Sequence, residues 1–286
     1  MISAISLRNV TKSYGDFKLD HINLEVPAGS IVGLVGENGA GKTTMIRSIL
    51  QMVHLDEGEI FYNGERKTWE DYGWKDEISV VLTGLAAYAQ MNAIQLGKCM
   101  ANIYSQWDMG QYHSYLKRFR IDEKKKILKY SQGTSMKLNL AVALSHHAKF
   151  LILDEATSGL DPVVRDEILE ILLDFIQEED HTVFMSTHIV SDLERVADYI
   201  AFLHEGRLEF FESKDDLLCR YGILRCTRAQ YEAVDPKYVA SVRKNQFEYE
   251  VLVQDRYHMA AQYPDFMVDG ASIEEIMVFL IKGEKV

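Results

Sequence analysis

The stretch "GENGAGKTT", Gly36 to Thr44, carries the spacing G-x-x-x-x-G-K-[ST]. The chemistry it suits is the gripping of phosphate. Its glycines let the backbone N–H groups around Asn38, Gly39, Ala40, Gly41 and Thr44 converge on phosphate oxygens, and a helix starting there adds partial positive charge. Lys42 is placed to reach the β- and γ-phosphates of a nucleoside triphosphate, and the Thr43 hydroxyl to ligate Mg²⁺. A second stretch, "FLILDEATSGLD", ends a buried apolar run on two acids. Asp154 suits the Mg²⁺ side of such a site through coordinated water, and Glu155 suits a general base that polarises the attacking water. A third stretch, "MSTH", ends another apolar run on His188, a candidate sensor of the γ-phosphate. Alone, a strand-end acid pair or a single histidine is commonly structural. Two such ends at one edge of an open sheet, beside a phosphate loop, read as one ligand site.

Certain elements must hold these residues in place. "SIVGLVG" before the glycine loop, "KFLILDE" and "HTVFMSTH" are continuous apolar runs of the kind buried in parallel sheets. "KTTMIRSILQMV" and "DPVVRDEILEILLDFIQEED" read as helices, the latter with Asp161 as N-cap and Pro162 at its first position. "AISLRNVTKSYG" and "FKLDHINLEVPAG" alternate as short strands. "GEIFYNGERK" reads as a hairpin turning at Asn63-Gly64, and "DYIAFLHEGRLEFF" as one turning at Glu205-Gly206. Buried strands alternating with helices specify an α/β fold around a largely parallel sheet. The expected organisation is one domain over residues 1–220, with a helical region at about 84–130. A small α+β domain over 221–286 contains "ILRCT", "FEYEVLVQD" and the helix "ASIEEIMVFLIKG".

The 286 residues are 47% hydrophobic and 26% charged, which is ordinary for a globular protein with a substantial core. A net charge of −12 repels phosphate backbones and argues against nucleic acid as a partner. Three cysteines, Cys99, Cys219 and Cys226, form no even-numbered disulfide framework and suit a reducing compartment. The N-terminal "MISAISLRNVTKSYG" lacks the basic and apolar regions of a secretory leader, and no uncharged apolar run reaches about 18 residues. Histidines other than His188, including the pair His146-His147, are expected to be solvated or on helix faces.

In this order the motifs resemble the nucleotide-binding subunit of an ATP-binding cassette (ABC) transporter, over about Ile2 to Phe211. The resemblance implies a P-loop cassette with a mixed, largely parallel core sheet, an antiparallel β subdomain and a helical subdomain. It implies binding and hydrolysis of ATP with Mg²⁺. "YSQGTSMK" stands where the family carries its signature, conventionally Leu-Ser-Gly-Gly-Gln. Two subunits then pair head to tail, and Ser131 and Gly133 of one cap the γ-phosphate held by the other. Gln132 and Thr134 depart from that pattern. "SGLD" matches the family's D-loop, so Asp161 is both an interface residue and a helix cap. Tyr14 fits the aromatic that stacks on adenine, with core packing as the alternative. The weakest match is the Q-loop, where Thr83 occupies the position of a Mg²⁺-linked glutamine or acid and Gln90 falls seven residues late. The helical region would face a membrane partner, with Tyr88, Met91, Tyr104 and Trp107 either on that surface or in a subdomain core.

"NIYSQWD", the variant signature and "SIEEIMVFLIKG" look like the ABC-2 export branch, which includes exporters of toxin peptides and antibiotics. That likeness implies an integral-membrane ABC-2 permease as partner, a second copy of the ATPase, and a peripheral place on the cytoplasmic face of the membrane. The C-terminal domain would serve dimerisation or regulation. The alternative is a soluble non-transport ABC ATPase, of the cofactor-assembly or ribosome-associated kind. A third possibility is a switch that binds ATP and hydrolyses it poorly.

Overall fold

The computed structural model describes residues 3–68, 70, 71, 73–82, 85–244 and 248–284. Its chain divides into two compact units, residues 1–211 and 212–286.

The first unit opens with β1 (Ser3–Tyr14) and β2 (Phe17–Pro27), followed by β3 (Ile31–Val35) and helix α1 (Lys42–Ile49). All five residues of β3 are buried, as its uninterrupted apolar run requires. α1 stops short of the expected Val53, because Gln51 takes a left-handed φ of 52°. β4 (Glu57–Tyr62) and β5 (Glu65–Lys67) form the hairpin, with φ of 48° and 80° at Asn63 and Gly64, the two positive angles such a turn needs. β6 (Ile78–Val81) leads into α2 (Ala93–Met100), α3 (Met109–Arg118) and α4 (Gln132–Ala143). Then come β7 (Phe150–Asp154), α5 (Pro162–Phe175), β8 (Thr182–Thr187), α6 (Val190–Val196), β9 (Tyr199–His204) and β10 (Arg207–Ser213).

Two sheets result, ordered β2-β1-β4-β5 and β10-β9-β3-β8-β7-β6. In the second, β3 lies between β8 and β9, and β6, β7, β8, β3 and β9 run parallel. The register pairs Asp154 with Ser186, and Val35 with Thr187. The ends of β3, β7 and β8 therefore share one edge, with the glycine loop beginning beyond Val35. Ile5, Leu19, Ile22, Leu34, Met45 and Phe184 are among the residues of one buried core spanning both sheets and α1.

The second unit holds α7 (Lys214–Arg220), β11 (Tyr221–Cys226), α8 (Arg228–Glu232), β12 (Val239–Lys244), β13 (Tyr249–Gln254), α9 (Arg256–Gln262), β14 (Val268–Gly270) and α10 (Ile273–Lys282). Its sheet runs β12-β13-β11-β14, antiparallel throughout. The division falls nine residues before the boundary expected from sequence, and α7 belongs to the second unit. A core of Leu224, Val242, Val251, Val253 and Met259 fills this unit. No helix among the described residues is long and apolar enough to cross a membrane.

Candidate nucleotide-binding and hydrolysis site

The glycine loop is held open by geometry that side chains would obstruct. Gly41 sits at φ 110°, and a Cβ there would lie 2.6 Å from the Phe17 ring. Behind the loop, Lys42 is 6% exposed. A buried ammonium needs partners, and its Nζ donates to the carbonyls of Gly36 at 2.8 Å and Glu37 at 3.2 Å. Glu155 Oε1 lies 3.4 Å away on the other side. Ala40 is buried beneath the loop, where its N–H donates to Glu37 O.

Thr43 Oγ1 donates to Asp154 Oδ2 at 2.9 Å, and Ser186 Oγ donates to Asp154 Oδ1 at 2.5 Å. Two hydroxyls thus orient one carboxylate beside the loop. A hydroxyl and a carboxylate oxygen are the hard donors Mg²⁺ selects, with phosphate and water completing its shell. Glu155 adopts a left-handed φ of 52°, a conformation a non-glycine residue keeps where its surroundings impose it. Its N–H donates to Ser186 O at 3.1 Å and to Ser186 Oγ at 3.2 Å. The result turns its carboxylate between Lys42 and His188, whose Nδ1 lies 2.6 Å from Glu155 Oε2. With the carboxylate accepting, the ring donates from Nδ1.

Asn38, Gly39, Gly41, Lys42, Thr43, Thr44, Glu155 and His188 line one open cavity of about 480 Å³, together with Phe17 and Ser158. Sequence reasoning did not single out these last two as site residues, nor Ser186. A signal for Phe17 was its place directly across the hairpin from Tyr14. For Ser186 it was a hydroxyl one residue inside the end of a buried strand. Tyr14 itself is 47% exposed, with Lys12 Nζ 5.3 Å above its ring, and it does not line the cavity. Thr83 lies outside the described residues.

Ser131, Gly133 and Asp161 stand apart from the cavity. Ser131 Oγ accepts the Thr134 N–H at 3.2 Å and caps α4. Gly133 is buried so closely on α5 that a Cβ would meet Val164 Cγ1 at 3.0 Å. Asp161 Oδ1 accepts from Val163 and Val164 N–H at 3.2 and 3.1 Å, the capping role that its sequence neighbour Pro162 announces.

In the helical region Tyr88 and Met91 are half-buried, while Tyr104 stacks on His146 at a ring separation of 3.9 Å and Trp107 packs on Tyr112. Tyr104 and Trp107, also half-buried, therefore pack one face each within the subdomain. His146 overturns the expectation of a solvated or helix-face residue. It is 1% exposed, its Nε2 lies 2.7 Å from Ser79 Oγ, and burial holds its pKa down.

The helices leaving the site are tied together. Arg165 of α5 pairs with Asp192 of α6, a carboxylate 1% exposed, and also donates to Ser191 Oγ at 2.7 Å. Arg165→Ala would strand that buried carboxylate. Because the arginine is itself partly exposed, the expected cost is about 2–3 kcal/mol, below the usual loss for a fully buried pair. The midpoint of denaturant unfolding checks this.

A parallel sheet carrying a glycine phosphate loop, a strand-end Asp-Glu pair and a strand-end histidine defines a P-loop nucleoside triphosphatase. The ABC transporter family profile matches residues 19–158. The bacitracin transport ATP-binding protein of Bacillus licheniformis is 33% identical over 211 residues, covering 73% of this chain and 69% of that protein. The lantibiotic transport ATP-binding protein of Streptococcus pyogenes is 31% identical over 213 residues, covering 71% of this chain and 88% of that one. The solved ATP-binding subunit of an ABC transporter superposes with a TM-score of 0.67 at 23% identity, covering 80% of this chain and 94% of its own. The chain belongs to the ABC transporter family of ATP-binding proteins, and it binds and hydrolyses ATP as a transporter subunit.

Proposed function

We propose that this chain energises an exporter of amphipathic antimicrobial peptides or drugs. Two copies pair head to tail beneath an integral-membrane ABC-2 permease, peripheral to the cytoplasmic face of the membrane. The observation that carries the catalytic part is the convergence of Lys42, Thr43, Asp154, Glu155 and His188 at one sheet edge. The likeness to bacitracin and lantibiotic transport proteins supports the cargo class, and it weighs against a soluble non-transport ATPase.

The residues divide the work as follows. The glycine loop and Lys42 bind the β- and γ-phosphates. Thr43 and Asp154 hold Mg²⁺, which when bound neutralises charge on the phosphate oxygens. Thr83 takes the Q-loop place in that shell, as the family resemblance implies. Glu155 accepts the proton of the attacking water, and His188 holds its carboxylate in place and senses the γ-phosphate. Tyr14 stacks on adenine, beside the cavity-lining Phe17. Ser131, Gly133 and Asp161 act across the paired interface, where the N-terminus of α4 presents its dipole to the partner's nucleotide. Closure of the pair then follows from the differential affinity of ATP for the closed and open states. The second unit strengthens dimerisation or regulation.

The test is to tag the Glu155→Gln protein, hold it with ATP, and capture it from detergent-solubilised membranes of its host. A multi-span membrane protein recovered in near-equal amount is the expected result. Recovery of ribosomes, assembly factors or no companion overturns the transport reading.

A further inference from the structure

Gln132 stands at one of the positions where the signature departs from its conventional sequence, and the structure gives that departure a contact. Its Nε2 donates to the Ser158 carbonyl at 3.1 Å. The amide also covers Gly159, whose φ is 69°, so closely that a Cβ there would lie 3.1 Å from Nε2. Ser158 lines the chain's own nucleotide cavity. Its N–H donates to the Glu155 carbonyl at 3.1 Å. Two hydrogen bonds thus join the first residue of α4 to the backbone of the general base: Gln132 to Ser158, and Ser158 to Glu155.

Glu155 keeps its left-handed conformation through Ser186 on one side and this turn on the other. Ser131, one residue before Gln132, caps the same helix. Through these two bonds a shift of the Ser158 turn at the chain's own cavity would be carried by the Gln132 amide to the N-terminus of α4. In the head-to-tail pairing proposed above, that N-terminus is what the chain offers to its partner's nucleotide. An amide serves here because it has a donor for the Ser158 carbonyl and the length to reach it. Leucine lacks the donor, and glutamate would set an oxygen against an oxygen.

We propose that Gln132 is a positioning residue that couples the two ATP sites of the paired cassettes. It makes occupancy of one protomer's cavity bear on the signature that protomer presents to the other. The inference rests on the head-to-tail pairing proposed above.

The experiment uses the full-length chain as wild type, Gln132→Glu and Gln132→Leu. It reads ATP hydrolysis against ATP concentration, equilibrium ATP affinity, and ATP-dependent dimer mass with Glu155→Gln added to each. For two coupled sites the wild-type Hill coefficient is expected above about 1.5, falling to about 1 in both variants. ATP affinity should stay within about twofold and the dimer should still form, so loss of folding or of pairing is separately visible. A Hill coefficient unchanged in both variants, or a wild-type value of about 1 with the dimer intact, overturns the coupling role. If the Glu155→Gln parent forms no ATP-dependent dimer, the head-to-tail reading fails first and the inference with it.

Discussion

Glu155→Gln is expected to hydrolyse ATP at least about 100-fold more slowly than wild type while binding it with similar affinity, as loss of a general base predicts. The amide keeps the size and shape of the carboxylate and loses its proton-accepting charge. Lys42 retains its Gly36 and Glu37 carbonyl partners, and the Thr43–Asp154 pair is untouched. Binding and turnover should therefore separate. Single-turnover hydrolysis alongside equilibrium nucleotide binding checks the split. A fall in affinity matching the fall in rate would show that Glu155 holds the nucleotide instead of activating water.

Ser131→Arg is expected to leave ATP affinity near normal and to reduce turnover by about 100-fold or more, the scale of losing one stabilising donor at a transition state. Ser131 is exposed and outside its own chain's cavity, so the bulky cation does not intrude on the nucleotide this chain holds. Its effect falls across the pair, where the N-terminus of α4 would meet the partner's γ-phosphate. Loss of the cap to the Thr134 N–H costs about 1 kcal/mol locally. Ser131→Ala, which loses the cap without the bulk, measures that share. Wild-type turnover in Ser131→Arg would remove the signature assignment.

Much of the site was legible because its residues sit at ends of strongly patterned elements. An apolar run followed by glycines, and apolar runs ending in Asp-Glu and in His, fix both strand identity and the edge where the residues meet. The same holds for Asp161, whose cap follows from Pro162. Contacts that depend on side chains crossing between elements left no local pattern. His146 stands in a polar stretch just after α4 and reads as a surface residue, yet the packing of α4 on β6 buries it against Ser79 and Tyr104. The link from Gln132 to Ser158 bridges residues 26 apart in sequence, and no periodicity marks it. In the second unit β12 and the short β14 escaped notice, since three to six residues beside turns carry little alternation.

The position of β3 between β8 and β9 has a consequence for how the molecule comes into being. Val32 pairs with Phe184 on one side and with Tyr199 on the other. The phosphate loop therefore hangs from a strand whose neighbours are among the last parts of the first unit to be synthesised. Pairings so distant in sequence form slowly, after the loop-closure entropy has been overcome. During translation the nascent chain carries its phosphate loop long before it has a sheet to mount it on. ATP can reward folding only after His204 has emerged, so the nucleotide acts as a late lock on the finished cassette and gives no help to the strands that precede it.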